Sequence, residues 1–102
     1  NLIGGQFVSI LNELENRKNL KPWNMKILSA TKSILPSVLN ELSTKVLSED
    51  MVNRMMTFLQ KINEGNLNEA SQVRDILIAN YMESYRDMII ICINILQILQ
   101  DQ

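Results

Sequence analysis

Apolar side chains return every three to four residues in segment after segment of this chain, and that period marks helices packed along one face. The first such segment covers residues 5–17, where Phe7, Ile10, Leu11 and Leu14 stand at i, i+3, i+4 and i+7. Asn12, Glu13, Glu15 and Asn16 fall on its opposite side. Three glycines and two prolines are too few turn formers for a many-stranded sheet. The expected fold is therefore all-α, a compact bundle of about five helices. Residues 1–102 make a single domain of a size that buries a proper core without disulfides or metals.

Pro22 opens the second segment, residues 22–42, at a position where its missing N–H costs nothing. Ile27, Leu28, Thr31, Ile34, Leu35, Val38, Leu39 and Leu42 form its stripe. Pro36 lies inside it. An interior proline removes one backbone hydrogen bond and crowds the preceding turn, at roughly 3 kcal/mol in a straight helix. The second helix is expected to kink near Ser33 or to break into two short helices. The third segment has the clearest ends: Ser48 as a cap, Glu49 and Asp50 as first-turn charges, and Gly65 as a left-handed stop. Val52, Met55, Met56, Leu59 and Ile62 make its stripe, widened by Met51 and Phe58.

Asn66 with Glu69 three residues on has the pattern of a capping box and starts the fourth helix. Its stripe is Ala70, Val73, Ile76 and Leu77, and it runs to about Asn80. Residues 81–84 suit either a turn or a continuation. The last segment, residues 85–100, carries an unbroken apolar run from Met88 to Ile93, then Ile95, Leu96, Ile98 and Leu99. Asn94 and Gln97 interrupt it, whereas a membrane span needs about 20 predominantly apolar residues. Apolar residues on all sides mean that this helix is central in the bundle or partly covered by a partner, and the central position is the simpler reading.

Composition speaks against catalysis. The chain has no histidine, which removes the commonest general base and metal ligand near neutral pH. Its lone Cys92 allows no disulfide framework and no cysteine-cluster zinc site. Set among isoleucines, that thiol is expected to be buried and inert. Glu49 and Asp50 point in different directions on a helix, and Asp75 and Asp87 show no calcium-loop pattern. No catalytic, cofactor-binding or metal-binding residue is expected, no cofactor, and no small-molecule substrate.

Two stretches could bind something larger. Arg17, Lys18, Lys21, Lys26 and Lys32 form the most basic stretch, with Trp23 inside it. It reads either as a binder of anionic partners or, more simply, as a solvated connector whose tryptophan anchors a helix start against the core. Ten basic residues against eleven acidic ones leave a net charge of -1, which argues against nucleic acid. Met51, Met55 and Met56 could line an adaptable groove, and core filling is the simpler reading. The opening residue, Asn1, suggests a fragment of a larger protein.

Residues 47–99 carry a family likeness: Leu47-Ser48 capping an amphipathic helix, then Gly65-Asn66-Leu67-Asn68-Glu69-Ala70, a fourth helix and a final apolar helix. This resembles the helical domain shared by the carboxy-terminal end of the COPII outer-coat large subunit and the steroid receptor RNA activator protein. Ala30-Thr31-Lys32-Ser33-Ile34 looks like the start of the long second helix in the coat branch. The chain departs from that family at Leu67, where an aromatic is usual, at Arg74, where a histidine is usual, and at Ile93, where a basic residue is usual. The resemblance implies a non-catalytic interaction module of the COPII vesicle outer coat in ER-to-Golgi transport. Its partners would be other coat subunits, with membrane association indirect, at the cytosolic face of endoplasmic reticulum exit sites. The other branch would imply an RNA-linked transcriptional co-regulator.

Overall fold

The computed structural model describes residues 2–102. It contains α1 (Leu2–Glu15), α2 (Pro22–Thr44), α3 (Glu49–Asn63), α4 (Leu67–Tyr81) and α5 (Arg86–Gln100), with no strand among the described residues. The all-α expectation therefore holds. α5 packs against α1, α2 and α4, and Cys92 Sγ lies 3.3 Å from Met55 Sδ on α3. Neighbours on several sides are why α5 is apolar nearly all round: Met88, Ile89, Ile91, Cys92, Ile95, Leu96 and Ile98 are buried. No helix among the described residues is long and apolar enough to cross a membrane.

α1 begins at Leu2, earlier than the periodicity indicates, and ends at Glu15 instead of Arg17. Gly5, where the periodic segment begins, lies inside the helix, as does Gly4. A Cβ on Gly4 would stand 2.9 Å from Leu39 Cδ2, so glycine there lets α1 and α2 approach closely. α2 runs unbroken from Pro22 to Thr44, and the expected alternative of two short helices does not occur. Pro36 is exposed, so water can replace the backbone hydrogen bond that the proline cannot donate.

The α3–α4 junction follows its sequence signals closely. Ser48 Oγ accepts from the Met51 N–H at 3.2 Å. Gly65 takes φ +75°, the left-handed conformation that the stop requires. The Gly65 N–H donates to the Ile62 carbonyl and the Asn66 N–H to the Lys61 carbonyl, at 3.1 and 2.9 Å, which completes a Schellman ending. Asn66 also caps α4, its Oδ1 accepting from the Glu69 N–H. The Asn66 backbone N–H is already engaged, so the Glu69 carboxylate accepts from the side-chain amide of Asn66 instead, at 2.9 Å. One residue thus ends one helix and begins the next.

The methionines of α3 are core residues. Met51, Met55 and Phe58 are fully buried, while Met56 is partly so. The exception to the sequence stripes is α4, where only Ala70 and Leu77 are buried and Ile76 is 37% exposed.

Candidate functional site

Among the described residues, two groups of polar side chains fasten one helix to another through several contacts each. The first joins the start of α2 to the end of α5. Asp101 follows the last turn of α5, and its carboxylate accepts from Trp23 Nε1 at 2.6 Å, Asn24 Nδ2 at 2.9 Å and Lys21 Nζ at 3.2 Å. Those three donors, Trp23 foremost, hold the carboxyl below the usual aspartate range. α2 has no acid in its first turn and no side-chain cap at Lys21. Asp101 therefore brings negative charge to that helix start from a distant part of the chain. Asn24 is wholly buried and its Oδ1 has no partner, so this fastening tolerates one unmet acceptor. Deeper along the same helix pair, Asn94 Nδ2 donates to Thr31 Oγ1 at 2.9 Å, and Thr31 Oγ1 donates to the Ile27 carbonyl.

The second fastening joins α3 to α4. Asp50, a first-turn charge in the sequence, accepts from the Tyr81 hydroxyl and from Arg54 Nε. Tyr81 above all, then Arg54, pulls the Asp50 carboxyl down from its ordinary value. Lys61 bridges the other end of the hairpin, 2.9 Å from Glu69 and 3.5 Å from Glu64, and those carboxylates hold its ammonium above the usual lysine range. Asp50 and Tyr81 are therefore engaged in holding α3 to α4, and Arg54 pairs with Asp50 within α3.

The basic stretch divides in the structure. Lys32 pairs with Glu15, Arg17 with Glu13, and Lys21 with Asp101. Lys18 and Lys26 are exposed and make no ion pair among the described residues. The simpler sequence reading sets Trp23 against the core, yet the side chain is 56% exposed. It does anchor the helix start, through its N–H to Asp101 and not through burial of its ring. Lys21 Nζ stands 5.5 Å from that ring.

Beside this stretch lies an open depression of about 440 Å³ between the end of α1 and α2. Met25, Leu28, Ser29 and Lys32 line one side of it at i, i+3, i+4 and i+7 of α2, and Glu15, Arg17 and Leu20 line the other. Met25 is 58% exposed. Trp23, two residues before it, projects to the opposite flank of α2, because residues two apart on a helix do not share a face. Sequence patterning missed the depression, since neither Leu20 nor Met25 belongs to a helical stripe. Their apolar character within a basic stretch was the available signal.

The remaining candidates are scattered. Asp75 pairs with Arg74, and no group of three or more His, Cys, Asp or Glu side chains could hold a metal among the described residues. Cys92 is fully buried, and desolvation pushes its thiol pKa far up. At the positions where the chain departs from the resembled family, Arg74 bonds Ser71 and Asp75, and Leu67 and Ile93 are partly buried against the core. No family model, curated protein or solved structure matches the chain.

Proposed function

We propose that this bundle is a non-catalytic protein-interaction module of the COPII vesicle outer coat, an appendage that supports coat assembly in ER-to-Golgi transport. The observation that supports the reading is the unit formed by α3, α4 and α5. Residues 47–99, which carry the resemblance, fold as three consecutive helices, the first two joined through Gly65 and Asn66. A coat appendage needs a rigid body and a modest exposed patch, and a weak contact repeated over a lattice gains strength from effective concentration. The apolar core provides the first, and the depression beside Met25 is a candidate for the second. Partners would be other coat subunits, met at the cytosolic face of endoplasmic reticulum exit sites, with the membrane reached only through the coat.

The test is removal of the module from the full-length coat subunit, followed by coat assembly on membranes. Disordered lattices and slowed secretion are expected. Lattices and secretion identical to those of the intact subunit would refute the reading, as would RNA binding by the module with a steep salt dependence.

A further inference from the structure

We propose that the two ends of the bundle are the two halves of one interface, through which copies of this chain associate head to tail. The inference goes beyond the coat reading and does not rest on it.

The observation that carries it is where the unpaired charges stand. Among the described residues, the exposed charged side chains that make no ion pair are Lys18, Lys26 and Arg86, and Glu49, Glu83 and Asp87. Contacts between helices sort them by place. Asp101 beside Trp23, Asn94 beside Thr31 and Lys45 over the Tyr85 ring run α5 antiparallel to α2. The bond from Tyr81 to Asp50 sets the end of α4 beside the start of α3. Glu49, Glu83 and Asp87 therefore share the end of the bundle where α2 finishes, whereas Lys18 and Lys26 lie at the end where α2 starts. Arg86 offsets one of the three acids. Two positive charges remain at one end and two negative charges at the other.

These charges cannot meet inside one molecule. α2 has 23 residues, about 34 Å of helix, which separates the two groups by several times the Debye length of about 8 Å at physiological salt. Complementarity then selects the occupant. A second copy in the same orientation sets its acidic end on the basic end of the first, and both unpaired groups are answered. Two like ends would repel, so a symmetric pair through either end is disfavoured. Each end also carries an apolar side chain for the contact to cover. Trp23 is 56% exposed and shares a face of α2 with Lys26, three residues on. Val46 is 96% exposed in the connector, three residues before Glu49. Exposed ion pairs contribute little each, so the contact is weak between free molecules and gains strength where many copies are tethered together. Head-to-tail contact leaves both outer ends open and does not close at a dimer.

The experiment uses the 102-residue chain and two charge-reversed variants. Lys18→Glu/Lys26→Glu makes both ends acidic, and Glu49→Lys/Glu83→Lys makes both ends basic. Circular dichroism checks that each keeps its helices. Sedimentation equilibrium reads the association, and emission from Trp23, the single tryptophan, reports burial at the contact. The parent chain is expected to associate beyond a dimer with millimolar Kd, to shift Trp23 emission to the blue, and to weaken as salt rises. Each variant alone should lose about tenfold or more in affinity. An equimolar mixture of the two should recover it, because acidic ends then meet basic ends. A parent that stays monomeric at millimolar concentration, a closed dimer insensitive to salt, or association that leaves Trp23 emission unchanged would overturn the proposal. So would a variant that associates as the parent does, or a mixture no stronger than its components. Tighter binding of a polyglutamate peptide or of phosphatidylserine vesicles at Lys18 and Lys26 than of a second copy would overturn it too. None of these results bears on the coat reading, which concerns other subunits.

Discussion

α4 and α5 have the same length, fifteen residues each, and are held in the bundle by different means. α5 buries seven side chains, all of them apolar or thiol. α4 buries two, Ala70 and Leu77, and is fastened at its ends: Asn66 and Lys61 grip its start, and Tyr81 binds Asp50 near its finish. Burial removes apolar area from water wherever it occurs along a helix. End fastenings act only where a side chain of one helix reaches another. A helix can therefore be central because of what it buries, or peripheral and still ordered because of how its ends are tied.

Substitutions can break this contrast from either side. The largest effect is expected in α5. Ile95→Ala removes a fully buried side chain, and chemical denaturation should show a loss of about 3 kcal/mol, since surrounding helices cannot collapse fully onto the cavity. In α4 the comparable weak point is an end. Asn66→Ala deletes the cap and the bond that the Asn66 amide donates to the Glu69 carboxylate, and a loss of about 1 kcal/mol is expected on the same measurement. A result as large as that for Ile95→Ala would mean that the junction also governs core packing.

Smaller effects separate the two fastenings by pH. Asp50 and Asp101 both have carboxyl pKa values lowered in the folded chain. Their contribution is thus fully present above the unfolded aspartate value of about 3.9 and is lost as pH falls through the lower folded values. Asp101→Asn should flatten the acid limb of a thermal-melt profile below about pH 4. A variant with the parent's acid limb would show that the Asp101 charge is irrelevant to the α2–α5 tie. The smallest effect is expected from Ile76→Ser. The helical stripe places Ile76 in the core, yet it is 37% exposed, so denaturation should move by no more than about 0.5 kcal/mol. A loss of the size seen for Ile95→Ala would restore the stripe reading and abolish the contrast.

The legible parts of the fold were those with local causes. Ser48, Gly65 and Asn66 act on backbone groups within a few residues of themselves, and each does in the structure what its position implies. The missed parts depend on distant residues. Gly4 falls outside the periodic segment, and its place inside α1 is explained only once Leu39 and Leu42 of α2 are seen beside it. Ile76 reads as core until α4 is found to pack mainly against α3 and α5, with Ile76 left 37% exposed. The candidate site was half legible: the basic stretch and Trp23 stood out, whereas the depression at Met25 needed α1 and α2 side by side.

By itself the sequence determined an all-α bundle, its helix count, the caps at the α3–α4 junction and the apolar character of the last helix. Hydrophobic period and capping chemistry act over one to a few turns, so they are written locally. Tertiary structure alone decided which lysines of the basic stretch are neutralised. Asp101 reaches Lys21 across eighty residues of chain, and Glu15 reaches Lys32 across two helices, leaving Lys18 and Lys26 open. Charge pairing depends on distance in space, and the path of the chain sets that distance only once the core has formed.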